Sequence, residues 1–290
     1  MVCRRMELSP DVRAKRVMLV MLFSFVGLIC CTDGNAAWVA LEDKTLNAFH
    51  DYVLSAEDRN QKSLQKGAFL WVDELGGAER ERAYERLKRG EVLVRQLGAT
   101  QSEIPGGLIH DWEGLVFLPG AKLEPVLALL RDYDHQADYY APDVEKAHIE
   151  WREGDHYRVF MRFRRHKVVT VVLDTEQEIT YYRDSPTRAH SRSSATQIHE
   201  IANPGTDQER EKTPREENGF LWQMETWWRM EERDGGVYVQ NEAITLTRNI
   251  PTGLGWLLKP FVTGIPKETL EFTMDATRRA MKKRSSETKY

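Results

Sequence analysis

Cysteine is scarce in this chain of 290 residues, and its placement excludes two kinds of feature. The three cysteines, Cys3, Cys30 and Cys31, all precede residue 32. The remainder of the chain therefore has neither a disulfide nor a thiol nucleophile.

The sequence also lacks a strong excess of charge and the short motifs of several common chemistries. Its formal net charge is -4, so it has none of the basic excess that is typical of nucleic-acid-binding proteins. It contains no phosphate-binding loop, no Gly-x-Gly-x-x-Gly element, no Gly-x-Ser-x-Gly elbow and no Cys–His site. We therefore predict no nucleic-acid partner and no cofactor.

Long hydrophobic runs are absent apart from one near the start of the chain. Basic residues precede an uncharged run from Val17 to Cys31. At about 15 residues, this run is short for a membrane-spanning helix and suits a signal peptide, and small residues follow at Ala36 and Ala37. Residues 1–37 are thus predicted to be a signal peptide or an N-terminal anchor, with lipid attachment at Cys31 as a third alternative. The protein is expected to be exported, either to the periplasm or as a secreted protein.

The rest of the chain divides into three parts by pattern. Residues 38–106 are predicted to form a helical N-terminal extension. Residues 107–282 are predicted to form a ligand-binding domain in which strands come first and a long helix comes last. Residues 283–290 form a polar tail.

The strongest local signal is a hairpin near residue 235. Apolar and polar residues alternate from Phe220 to Glu231, which is the period of a strand with one apolar face. Asp234-Gly235-Gly236 supplies residues that tolerate the positive φ of a tight turn, and Val237–Arg248 returns as the partner strand. The polar stretch between Asn203 and Asn218 reads as a flexible loop.

This order of elements predicts an α+β fold of the helix-grip type, in which a curved antiparallel sheet wraps around a long C-terminal helix. One face of such a sheet must be covered, and a helix laid across it does this. If the helix stands slightly apart from the sheet, the space between them becomes a ligand cavity.

Several segments carry a resemblance to a known superfamily. They are Gly107–Gly120, Asp132–His135, Tyr140–Val144, Gly219–Arg229 and Arg248–Trp256. Over about residues 78–282 the chain resembles a bacterial branch of the START-like (SRPBCC) superfamily, which includes polyketide cyclases, ubiquinone-binding START proteins and lipid-transfer domains. The resemblance implies a helix-grip fold and a hydrophobic ligand, and it identifies neither the ligand nor an activity.

The candidate ligand-binding residues come from the apolar faces of two strands and from the last helix. They are Tyr157, Met161, Phe163, Trp222, Met224, Trp228, Met230, Phe261, Leu270 and Met274. Each of them alone is more simply explained as a core residue. As a set they are more persuasive, because a filled core seldom needs so many long aromatic residues on adjacent strands.

Ionisable residues give weaker candidates, and we assign no catalytic residue and no metal ligand. His110 and Asp111 form the best acid–base pair by type, but adjacent residues of a strand point to opposite faces. Asp132, Asp134 and His135 match no closed zinc or calcium spacing. A further set of charged residues is interpreted first as a solvated outer face and second as an anchor for a ligand headgroup. These are Arg192, Glu225, Arg229, Glu242 and Arg248.

The residues favour a protein that binds or transports a hydrophobic small molecule or lipid in an internal cavity, outside the cytoplasm. Two alternatives stay open. One is a cyclase- or hydrolase-like enzyme that uses the same cavity. The other is an envelope scaffold whose Trp227 and apolar 250–261 stretch contact a partner or a membrane surface. The sequence does not define the oligomeric state.

Overall fold

The computed structural model describes residues 41–98, 102–166, 170–249 and 255–287. The predicted signal segment, 1–37, lies outside the described residues, as do the side chains of 255–263, 265 and 287. Within the described part, the chain forms five α-helices, two short 3₁₀ turns and ten strands.

The helices and strands have the following bounds. The helices are α1 (Asp43–Gln65), α2 (Gly77–Lys88), α3 (Leu123–Leu130), α4 (Gln136–Tyr139) and α5 (Gly255–Glu287). The 3₁₀ turns are Trp71–Glu74 and Tyr133–His135. The strands are β1 (Leu93–Gln96), β2 (Ser102–Ile104), β3 (Gly107–Pro119), β4 (Val144–Glu153), β5 (His156–His166), β6 (Thr170–Ser185), β7 (Arg188–Ala202), β8 (Arg210–Glu211), β9 (Gln223–Arg233) and β10 (Gly236–Arg248).

All the strand pairs are antiparallel and belong to one large curved sheet. The order is β1-β3-β10-β9-β7-β6-β5-β4, with β2 on β3 and β8 on β7. The predicted hairpin is present as β9 and β10, in which Gly236 pairs with Arg233. Its turn uses positive φ at Asp234 and Gly235, as the Asp-Gly sequence predicts.

Helix α5 packs on one face of the sheet, which we call the inner face. Gly114 of β3 makes this contact close: a Cβ built there would lie 2.9 Å from the Cγ atoms of Leu270 and Met274. The main core cluster joins α5 to Val116 and Val239 of the sheet. The architecture is the predicted helix grip.

Helices α1 and α2 pack on the opposite face, which we call the outer face. The α1 residues Phe49 and Val53 join one cluster with Ile244 of β10. The segment around Leu70, together with Leu87 of α2, forms another cluster with Phe117 and Tyr238. These helices are amphipathic, so burying their apolar stripes against the strand side chains stabilises both.

One expectation about an individual element is wrong. The segment 203–218 is tied to the sheet, because the buried carboxylate of Glu200 accepts hydrogen bonds from Lys212 Nζ, at 2.8 Å, and from Asn218 and Phe220.

Candidate ligand-binding face

The floor of the candidate site is a row of residues that crosses the inner face of the sheet. The register pairs Trp112 with Ala243, Ala243 with Thr226, and Thr226 with Ser193. Because directly paired residues of antiparallel strands share a face, these side chains lie side by side. Between Trp112 at one end and Ile179 beyond Ser193, the row carries only small side chains.

Most of this row is less buried than the part of the sheet on which α5 packs. Trp112, Ala243 and Thr226 are all half-buried, as is Trp228 in the next row. In contrast, Val116 and Val239, where α5 makes its core contacts, are fully buried. The middle of the sheet therefore carries small, partly exposed side chains, while the large ones at one end support the helix.

Polar side chains on the inner face bond mainly to one another. Ser193 Oγ donates to Gln177 Oε1 at 3.0 Å, and Gln177 Nε2 donates to Thr175 Oγ1 at 3.1 Å. Trp112 Nε1 and Ser191 Oγ are buried atoms without a hydrogen-bond partner. The face therefore offers neutral hydrogen-bonding groups to orient a guest molecule, which is typical of sites for apolar ligands.

His110 also lies on the inner face, and its surroundings favour the neutral imidazole. It is 1% exposed, and its Nε2 lies 2.9 Å from Thr247 Oγ1. Burial lowers the pKa of His110 to about 4. Asp111 points to the outer face, where it accepts a hydrogen bond from Tyr52 at 3.0 Å. The two residues cannot act together as an acid–base pair.

Most of the predicted ligand-binding residues lie on the inner face, but they differ in burial. Tyr157, Met161, Met230, Leu270 and Met274 are buried in the main core cluster. Phe163, Met224 and Trp228 are half-buried, and Phe163 and Trp228 pack against this cluster. Their role as binding residues stays a prediction.

Two of the predicted residues do not join this set. Trp222 precedes β9 and packs against the outer-face cluster beneath α1, so it does not share a face with Met224. The strict alternation fails there because the strand begins only at Gln223. The side chain of Phe261 lies outside the described residues.

The charged residues that we interpreted as a solvated outer face are largely buried. Glu225, Arg229 and Glu242 are 9%, 6% and 1% exposed. They lie on the outer face, beneath the N-terminal helices, where Asn60 of α1 donates to Glu242 at 2.7 Å. They are therefore neither solvated nor able to reach a ligand on the inner face. Arg192 bridges Glu57 of α1 and Glu225.

The 132–135 segment has a local structural role. Asp132 Oδ1 lies 2.7 Å from His135 Nδ1, and Asp132 also accepts a hydrogen bond from Tyr139 at 2.6 Å. Asp134 accepts the backbone N–H of Ile149. Across the described residues, no group of three or more His, Cys, Asp or Glu side chains is arranged to hold a metal ion.

Trp227 is the one part of the scaffold alternative that the structure describes, because the side chains of the apolar 250–261 stretch lie outside the described residues. Trp227 is half-buried and packs with the cluster beneath α1, whereas the scaffold alternative required it to be exposed. None of the helices within the described ranges combines the length and apolarity needed to cross a membrane.

Sequence reasoning missed the residues that form the floor. Trp112 could have been found, since it lies on the same face of β3 as Val116 and Leu118 by the two-residue period of a strand. Ala243 and Thr226 could not, because a small residue in a strand gives no signal until its neighbours are known.

No protein-family model and no curated protein matches this chain. Solved structures with a similar arrangement do exist. A STAR-related lipid transfer protein from Xanthomonas axonopodis is 16% identical, with a TM-score of 0.43, and the match covers 65% of this chain and 98% of that one.

Two further structures are similar at the same level. An aromatase/cyclase, ZhuI, from a Streptomyces species is 12% identical, with a TM-score of 0.43, over 61% of this chain and 96% of that one. Human STARD10 is 8% identical, with a TM-score of 0.42, over 73% of this chain and 84% of that one. At these identities the comparison concerns the fold alone.

Proposed function

We propose that this protein binds a hydrophobic small molecule or lipid between the inner face of the sheet and α5. The observation that carries the proposal is the row of Trp112, Ala243, Thr226 and Ser193, in which the side chains after Trp112 are small and all but Ser193 are half-buried. The lipid-transfer function named for the Xanthomonas structure is consistent with this use of the fold.

The chemistry of the inner face favours ligand binding over catalysis. Its buried polar groups, among them Ser193, Gln177 and Asn241, are neutral. His110 has Thr247 as its hydrogen-bond partner, and its low pKa makes it a weak base near neutral pH. Such a surface holds an apolar molecule by shape and burial rather than transforming it.

The proposal includes a location outside the cytoplasm. Its support is the basic region, the uncharged run and the small residues of 1–37. Contact with a membrane surface would accompany loading from a bilayer, and Phe220, which is 43% exposed, is an available apolar side chain.

The most informative test is to identify what the protein carries. The full chain is purified without detergent, extracted with organic solvent and analysed by mass spectrometry beside an unrelated protein from the same host. We expect one class of apolar molecule at near-stoichiometric yield. Recovery of no such molecule, together with failure to take up any from vesicles, would overturn the proposal.

A further inference from the structure

The middle of the inner face carries no ionised side chain. This holds on β3, β10, β9 and β7 for the row of Trp112 and for the rows of His110 and Gly114 on either side of it. All three rows lie in the described part of the chain, and His110 is the one titratable side chain in them. Its pKa of about 4 leaves it neutral near neutral pH. A charged group on a ligand would find no counter-charge here, and removing such a group from water unpaired is costly.

Cations that border this face are engaged by other groups. Their carboxylate partners, with the N–O distances, are Asp143 for Arg165 at 2.8 Å, Glu200 for Lys212 at 2.8 Å and Asp155 for Arg131 at 2.9 Å. Arg152 is exposed on the edge strand β4, and its Nε donates to the backbone carbonyl of Gly154 at 3.0 Å. None of these cations belongs to the three rows.

One neutral donor in the middle row lacks a partner. The indole N–H of Trp112 is buried and makes no hydrogen bond to any of the described residues. Ala243, which is paired with Trp112 on β10, has no polar side-chain atom. A buried N–H that is left unpaired costs free energy, and an indole N–H can only donate. The partner that Trp112 lacks is therefore a hydrogen-bond acceptor.

Two hydroxyl groups on the same face are less selective. Ser191 Oγ and the hydroxyl oxygen of Tyr157 are also buried without a partner. A hydroxyl group can donate or accept a hydrogen bond, so either kind of ligand group would satisfy it. The requirement for an acceptor comes from Trp112 alone among these three groups.

We propose that the ligand is uncharged and carries an oxygen acceptor, of the kind found in esters and ketones, that receives the hydrogen bond of the Trp112 indole. This inference rests on the proposed function, because it names the class of molecule that occupies the same face. Trp112 is then a specificity-determining residue. A hydrocarbon without oxygen leaves its N–H unpaired, and a carboxylate brings a charge that the face does not neutralise.

Competition for a neutral apolar fluorophore on the delipidated full chain tests the ligand class. The three competitors share one chain length: methyl dodecanoate is a neutral ester, dodecane has no oxygen, and dodecanoate is ionised in mildly alkaline buffer. We expect methyl dodecanoate to bind at least about tenfold more tightly than dodecanoate, because the carboxylate loses its hydration without gaining a counter-charge. Dodecanoate that binds as tightly as the ester would overturn the proposal.

Two tryptophan variants test the hydrogen bond. Trp112→Phe removes the indole N–H and keeps an aromatic ring. It should lower the affinity for methyl dodecanoate, relative to that for dodecane, about fivefold, which is the effect of one neutral hydrogen bond. Trp71→Phe is the matched control and should leave this ratio unchanged, because the N–H of Trp71 is also buried without a partner but lies in the outer-face cluster. The native ratio in a folded Trp112→Phe variant would contradict the role of Trp112.

The same measurements separate this inference from the proposed function. If the native chain binds neither the fluorophore nor any competitor, the proposed function fails and the ligand class fails with it. If the fluorophore binds saturably but the competition favours dodecanoate, or is indifferent to Trp112→Phe, the ligand class alone is refuted.

Nuclear magnetic resonance of the native chain, with isotope-labelled tryptophan, observes the hydrogen bond directly. We expect the indole N–H signal of Trp112 to move further downfield with methyl dodecanoate than with dodecane, and the signal of Trp71 to respond to neither. A Trp112 signal that responds equally to saturating ester and saturating dodecane would overturn the assignment.

Discussion

His110 and Asp111 are adjacent in the chain, yet their side chains lie on opposite faces of the sheet. His110 bonds to Thr247 on the inner face, whereas Asp111 bonds to Tyr52 and Arg59 of α1 on the outer face. The same strand therefore contributes to two different environments. One is a neutral, mainly apolar face beneath α5, and the other is a buried network of charges beneath α1.

The neutral state of His110 predicts a loss of stability in acid. Its pKa is about 4 when folded and about 6.5 when unfolded, so below pH 6.5 the unfolded chain binds a proton that the folded chain does not. Lowering the pH from 6.5 to 4 should reduce the free energy of unfolding through this residue by about 3 kcal/mol. His110→Gln should lose that component when urea unfolding is measured across the range. Parallel pH profiles for the two proteins would contradict the burial of His110.

The outer-face network predicts the opposite dependence. Burial, together with the nearby Glu242, raises the pKa of Asp111 to about 7, and burial likewise raises that of Glu113 to about 7. Between pH 4 and 7 the folded chain thus holds protons that the unfolded chain releases, so raising the pH lowers stability. Asp111→Asn with Glu113→Gln should flatten this fall, as measured by urea unfolding from pH 5 to 8. A variant that loses stability with rising pH as steeply as the native chain would show that these carboxyls titrate normally.

The contact between Gly114 of β3 and helix α5 leaves no room for a larger side chain at position 114. A Cβ there would lie 2.9 Å from Cγ of both Leu270 and Met274, so Gly114→Ala must displace these side chains or the helix that carries them. We expect a loss of about 1–3 kcal/mol in the free energy of unfolding, which is typical of overpacking. Gly77→Ala is the control, because a Cβ at Gly77 meets nothing within 4 Å. Equal effects of the two substitutions on urea unfolding would contradict the close packing of α5 on β3.

We expect the buried carboxylate of Glu200 to hold the 203–218 segment against the sheet. Hydrogen bonds from Lys212 and from the backbone of Asn218 and Phe220 hold the pKa of Glu200 below its usual value, although burial alone would raise it. Glu200→Ala should release the segment and make trypsin cleavage after Lys212 several-fold faster. Glu211→Ala, which removes an exposed carboxylate from the same segment, should not. Equal cleavage rates in both variants would argue against this role for Glu200.

The elements with a clear local period were predictable from the sequence. The hairpin of β9 and β10, strand β3 and the final helix each have a run of side chains that reveals its face. The outer-face network has no such signal. Its pairs join residues far apart in the chain, such as Asn60 with Glu242, and a charge in a sequence does not reveal the helix that will cover it. Residues such as Glu242 and Arg229 therefore resembled a solvated surface.

The large residues of the candidate site could be predicted from the sequence, whereas its small residues could not. Alternation identified Met224 and Trp228, and the same rule misassigned Trp222 because the strand begins one residue later. The proposed site depends on Ala243 and Thr226 being small, and that becomes visible only when three strands are in register.

Binding of a neutral apolar fluorophore to the delipidated full chain tests the central claim most directly. Ala243→Trp adds a large ring to the centre of the inner-face row, whereas Thr180→Trp adds the same ring on the outer face, beside His156 and Arg192. We predict saturable binding by the native chain, an affinity at least tenfold weaker in Ala243→Trp, and native affinity in Thr180→Trp. Unchanged affinity in a folded Ala243→Trp variant, or no binding by the native chain, would contradict a ligand site between the sheet and α5.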